Sequence, residues 1–76
     1  MNNISVPAPR AMYKGELAMA YNPDMEPHYA LRTLRKWLET SPGLLDRLRA
    51  TGFSAHQKIL TPLQVSLIFE ALGEPG

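Results

Sequence analysis

Pro27-His28-Tyr29-Ala30-Leu31-Arg32-Thr33-Leu34-Arg35-Lys36-Trp37-Leu38-Glu39-Thr40 is the stretch whose pattern settles how this chain folds. Ala30, Leu31, Leu34, Trp37 and Leu38 recur at helical spacing and share one side. His28, Arg32, Arg35 and Lys36 fall on the other. The spacing predicts an amphipathic helix whose apolar side is buried and whose cationic side is left for water or a polyanion. Trp37 is expected in the core, with its indole N–H meeting a nearby carbonyl.

Toward the amino end, the start of this helix has two solutions. Asp24 caps it with Pro27 in the first turn, or Pro27 is itself the first helical residue. Asn22-Pro23 ends a preceding helix over residues 13–21, because proline disfavours helical backbone in the residue before it. Tyr13, Leu17 and Tyr21 recur four apart in that helix, so Tyr13 and Tyr21 are expected to be buried with Leu17 and Ala18. Residues 1–12, with Pro7 and Pro9 in quick succession, predict a flexible arm whose one charged side chain is Arg10.

Toward the carboxyl end, Ser41-Pro42 predicts a stop followed at once by a third helix, serine capping and proline in first position. That helix would bury Leu44, Leu45 and Leu48 and expose Arg47 and Arg49, with Gly52 as the left-handed residue after its end. Residues 53–60 have no helical pattern; Gln57-Lys58-Ile59-Leu60 is either a short extended strand or an ordered loop. Thr61-Pro62-Leu63-Gln64 is a capping box, with Leu60 and Val65 placed as its hydrophobic staple. Val65, Ile68, Phe69 and Leu72 form the buried stripe of a fourth helix that Gly73 and Pro75 terminate. The expected fold is mainly α: a compact four-helix domain over residues 13–76 with a helix-turn-helix-like core and a short extended, wing-like segment near 56–60.

Composition bounds the rest. A chain of 76 residues holds one domain at most, and one of this size buries only roughly 60% of the surface its unfolded chain exposes. There is no cysteine, so no disulfide and no thiolate metal site. His28 and His56 stand in no ligand motif, and neither a metal nor a cofactor is expected. No apolar run approaches the roughly 18 residues that cross a bilayer, and no signal peptide is visible, so the expectation is a cytoplasmic protein with no membrane partner.

The net charge of +1 hides a gradient. Residues 1–27 carry Arg10 and Lys14 against Glu16, Asp24 and Glu26, a balance of −1. Residues 28–58 carry Arg32, Arg35, Lys36, Arg47, Arg49 and Lys58 against Glu39 and Asp46, a balance of +4, and Glu70 and Glu74 leave the remainder at −2. A phosphate backbone is attracted to the middle of such a chain.

Enzyme signatures are missing: no glycine-rich phosphate loop, no zinc helix, no nucleophile elbow. Asp24 and Glu26 sit at a helix start, where acidic residues favour the dipole. Ser54 and His56 lack a third group to orient them. No enzymatic activity is expected. The candidate site is the cationic flank of helix 27–40. A recognition helix reaches base edges from its start, while flanking cations hold phosphates. That assigns His28, Arg32 and Tyr29 to a groove and Arg35 and Lys36 to the backbone, with Arg10 entering a neighbouring minor groove and Lys58 making a wing-like phosphate contact. The plainer alternative is a solvated surface on which Glu39 partly offsets Arg35 or Lys36.

Two resemblances attach to these residues. Glu16-Leu17-Ala18 followed by Thr33-Leu34-Arg35-Lys36-Trp37 is similar to the MerR and excisionase type of helix-turn-helix, which implies a scaffold helix followed by a recognition helix. The stretch from Ala18 to Thr33 is several residues longer here than in that group. Gly15-Glu16-Leu17-Ala18, Tyr21-Asn22-Pro23-Asp24, the phrase 34–38, Thr51-Gly52-Phe53 and Thr61-Pro62-Leu63-Gln64-Val65 with Leu72-Gly73-Glu74-Pro75 together resemble a family of small Bacteroides proteins classed as a domain of unknown function. That resemblance implies a bacterial, mobile-element-associated setting and no particular activity.

The expected function is therefore DNA binding, regulatory or architectural, through the basic face of helix 27–40, as a homodimer or beside a protein partner. The rival is a small protein–protein adaptor that uses Leu63 and Leu67 as an exposed apolar patch and binds no nucleic acid.

Overall fold

The computed structural model describes residues 9–75. Its elements run β1 (Met12–Tyr13), α1 (Lys14–Tyr21), α2 (Pro27–Thr40), α3 (Leu44–Arg49), β2 (Ile59–Leu60) and α4 (Pro62–Leu72). The mainly helical, four-helix expectation holds, with a small sheet added. α1 packs along α2, α3 packs on α4, and α2 also touches α3.

Each helix end has a local cause. α1 stops at Asn22, whose backbone N–H and side-chain amide both donate to the Ala18 carbonyl, at 3.0 and 3.4 Å. Pro23 then prevents another turn. α2 begins at Pro27 with Glu26 as its extended N-cap, so the second of the two solutions is the one adopted; Asp24 lies too far upstream to cap. α4 opens with the complete capping box of Thr61 and Gln64, and Leu60 and Val65 beside it are both fully buried.

The start of α3 differs from expectation. Ser41 ends α2, its N–H donating to the Trp37 carbonyl at 3.0 Å, and does not cap α3. Gly43 is the N-cap instead, in the left-handed region at φ 74°. The Ser41 carbonyl accepts from Leu44 N at 3.2 Å, so Pro42 and Gly43 are a turn rather than a first helical turn. Gly52 does take the left-handed conformation expected after α3, at φ 91°.

β1 and β2 pair antiparallel, Met12 opposite Leu60 and Tyr13 opposite Ile59, and Lys14 N extends the ladder to the Lys58 carbonyl at 2.7 Å. The extended segment foreseen near 56–60 is thus a strand at its last two residues. Alternation along the strands turns Leu60 and Met12 toward the core and Tyr13 and Ile59 outward. Of the expected flexible arm, residues 1–8 lie outside the described residues. Met12 is held by the sheet, and Arg10 is held by an ion pair to Glu16 at 2.8 Å.

One apolar cluster joins the elements: Leu17, Ala18, Ala30, Leu34, Leu38, Leu44, Leu48, Leu60, Val65 and Ile68. Trp37 is corrected from core to seam. It is half-buried and meets Tyr21 edge-on, ring centres 6.0 Å apart. Tyr13 is corrected more strongly, being 61% exposed, because the helix starts one residue after it and strand pairing aims its ring outward. Leu45 and Leu67 are half-buried, so Leu67 contributes little to an exposed patch, while Leu63 stays open. Among the described residues no helix is long and apolar enough to cross a membrane.

Candidate functional site

The outer surface of α2 follows from its sequence. Ala30, Leu34 and Leu38 take the inward positions, which turns His28, Arg32, Arg35 and Lys36 outward, all exposed. Among the described residues the ion pairs are Arg10–Glu16 and Arg47–Glu70. Neither involves α2, and Glu39 is not within pairing distance of Arg35 or Lys36.

Two adjoining hollows run beside this surface. The smaller, of about 180 Å³, lies among His28, Leu31, Arg32 and Arg35. The larger, of about 420 Å³, is bounded by Leu31 and Arg35 of α2, by Tyr13, Lys14 and Gly15 where β1 passes into α1, and by Ala55, His56, Gln57 and Lys58 of the loop before β2. Leu31 and Arg35 line both, so the two hollows lie side by side along one cleft-bearing face. Their charged lining is cationic throughout: no carboxylate borders either hollow.

Lys14 is the most constrained of these cations. It is 7% exposed, its Nζ donates to the Ala55 carbonyl at 3.1 Å, and it stands 5.0 Å from the centre of the Phe53 ring. Burial pushes its amine below the ordinary lysine range, and the positive charge of Arg35 pushes it further the same way. Two like charges thus converge on one hollow, and an anion seated there would relieve both.

The loop wall is held from below by Gln64, which is 1% exposed. Its side-chain oxygen accepts from Thr61 N at 3.0 Å and from the Gln57 amide at 2.6 Å, and its nitrogen donates to Thr51 Oγ1 at 2.9 Å. Gln57 also donates to the Ile59 carbonyl at 2.8 Å. The capping residue of α4 therefore fixes the loop that carries His56 and Lys58 into the cleft.

The structure places His28, Arg32 and Arg35 around the smaller hollow and Arg35 and Lys58 around the larger, with Arg35 common to both. Lys36 lies next to Arg35 on the exposed side of α2 but borders neither hollow. Arg10 stands apart: its guanidinium is engaged by Glu16, whose carboxyl that hydrogen bond holds below the usual carboxylate range. Sequence reasoning missed Lys14, Tyr13 and His56 as cleft residues. A strand of two residues has no periodicity, so nothing marked Tyr13 and Lys14 as neighbours of the loop at 55–58.

Residues 8–75 match the family model described as "Domain of unknown function (DUF4248)". The chain belongs to this family. No curated protein and no solved structure matches it. Among the described residues no group of histidine, cysteine or acidic side chains is arranged to hold a metal ion.

Proposed function

We propose that this chain is a DNA-binding module that lays the basic face of α2 against a duplex. The observation that carries the reading is the exposed group of Arg32, Arg35 and Lys36 on α2, beside His28 and free of ion pairs among the described residues, with Lys58 lining the same hollow as Arg35. Cations without carboxylate partners keep their full attraction for phosphate, since binding does not first have to break an internal pair. The order α1, turn, α2 and the likeness of Thr33-Leu34-Arg35-Lys36-Trp37 to the MerR and excisionase phrase favour α2 as the element that enters the groove. The loop leading into β2 supplies Lys58 from the side, in the manner of a wing. On this reading the protein works in the bacterial cytoplasm, in a mobile-element setting, as a dimer or beside a partner.

Fluorescence anisotropy with a labelled random duplex tests it. Affinity falls steeply with added salt, with a log–log slope of about −3 to −4 if Arg32, Arg35, Lys36 and Lys58 each meet a phosphate. The double variant Arg32→Ala, Arg35→Ala loses binding while keeping its circular dichroism and melting temperature. Absence of binding to random and genomic duplexes at low salt overturns the proposal.

The adaptor alternative rests on Leu63, which is 58% exposed on α4. It requires capture of a defined protein with little salt dependence, lost in Leu63→Ser.

A further inference from the structure

The larger hollow is bigger and less polar than a site for a bare phosphate requires. Its volume of about 420 Å³ lies in the range of small-molecule pockets. Its lining includes Tyr13, Leu31 and Ala55, and Tyr13 is 61% exposed. The Tyr13 ring stands outward from β1 with no aromatic partner among the described residues, whereas Tyr21 and Tyr29 each face another ring. Cations arrive from three separate elements, Lys14 from α1, Arg35 from α2 and Lys58 from the loop before β2. An open aromatic face beside converging cations is how proteins hold an unstacked nucleotide: the base lies on the ring and the phosphate meets the charges.

We propose that this pocket binds one unpaired nucleotide, its base against Tyr13 and its phosphate against Arg35 and Lys58. The choice of a nucleotide over other phosphates rests on the DNA-binding reading above. A base inside a duplex is stacked and cannot reach Tyr13, so the occupant is either a free mononucleotide or a nucleotide of an unpaired strand. Lys14, already short of counter-charge, gains an anionic neighbour and is expected to regain basicity when the pocket fills.

The full chain is titrated separately with AMP, with inorganic phosphate and with a short oligothymidylate at low salt, by calorimetry and by amide chemical-shift mapping. Shifts are expected at residues 13–15, 31–35 and 55–58, with AMP or the oligonucleotide binding more tightly than phosphate. Tyr13→Ala weakens that binding by about fivefold or more, Tyr13→Phe leaves it within about twofold, and neither changes duplex affinity, because stacking needs the ring and not the hydroxyl. Tighter binding of AMP identifies a free nucleotide as the occupant; tighter binding of the oligonucleotide identifies a strand. The proposal is overturned if neither shifts the pocket, if phosphate binds as well as both, or if Tyr13→Ala binds like the parent chain. A chain that binds AMP but no duplex sinks the DNA-binding reading and keeps the pocket; one that binds duplex but neither probe does the reverse.

Discussion

Single side chains carry more than one duty in so small a domain. Gln64 closes the N-terminus of α4 and also anchors Thr51 and Gln57. Gln64→Ala removes these three bonds at partly buried groups and leaves a gap where its own buried side chain stood, and a loss of about 1–2 kcal/mol in urea-measured stability is expected. The sequence disclosed the cap but not the tertiary bonds, because a capping box is a local signal and Thr51 lies thirteen positions away. Tyr21 donates its hydroxyl to the Gly73 carbonyl; burial, reinforced by the charge of Glu74, pushes its phenol up to about 12. The folded chain therefore keeps this proton longer than the unfolded one does. The associated stability is complete below the ordinary value of 10.0 and is lost as pH rises from there toward 12. Phenolate absorbance should resolve one late-titrating tyrosine, absent in Tyr21→Phe. Lys14 has the opposite sign. Its lowered amine pKa makes the native state shed a proton before the unfolded chain does, so stability rises with pH through its titration up to 10.5. Lys14→Met should melt no lower than the parent at neutral pH, and its melting curve should lack that rise.

Among the elements, legibility followed length and local chemistry. α2 and α4 were readable because fourteen and eleven residues carry a full apolar stripe, and because Pro27, Thr61 and Pro62 mark their starts. α3 was readable in its leucines but not in its first turn, where serine and proline imitated a helix start that Gly43 in fact provides. A Cβ at Gly43 would meet no neighbour within 4 Å, so Gly43→Ala costs only the backbone term for a left-handed residue. A destabilisation of about 1 kcal/mol is expected by urea unfolding, with the cleft unchanged. β1 and β2 were the least readable, since two residues each exist as strands only through the partner. That is why Tyr13 was expected on a helix face and stands on a sheet, and why half of the cleft was invisible while its α2 side, with Arg32 and Arg35, was plain.

At the level of the whole molecule, charge and packing are segregated. The apolar cluster is fed by every helix, and four cations without an ion pair among the described residues, Lys14, Arg32, Arg35 and Lys58, line the two adjoining hollows. The ion pairs of Arg10 and Arg47 are exposed and screened by water and salt, so neither holds the fold together. Raising the salt concentration should therefore barely move the melting temperature while it strips off a bound polyanion, a separation that differential scanning fluorimetry and anisotropy can measure side by side. Truncation through Tyr13 would remove β1, uncover Leu60 and take away one wall of the cleft, so the shortened chain should melt well below the full one. The bond from Lys14 N to the Lys58 carbonyl has a consequence of its own. It fastens the start of α1 to the loop before β2 like a latch, and its proton can leave for solvent only when the latch lifts. The deuterium uptake of that single amide thus gauges the free energy of parting these two segments, readable with no ligand in the tube.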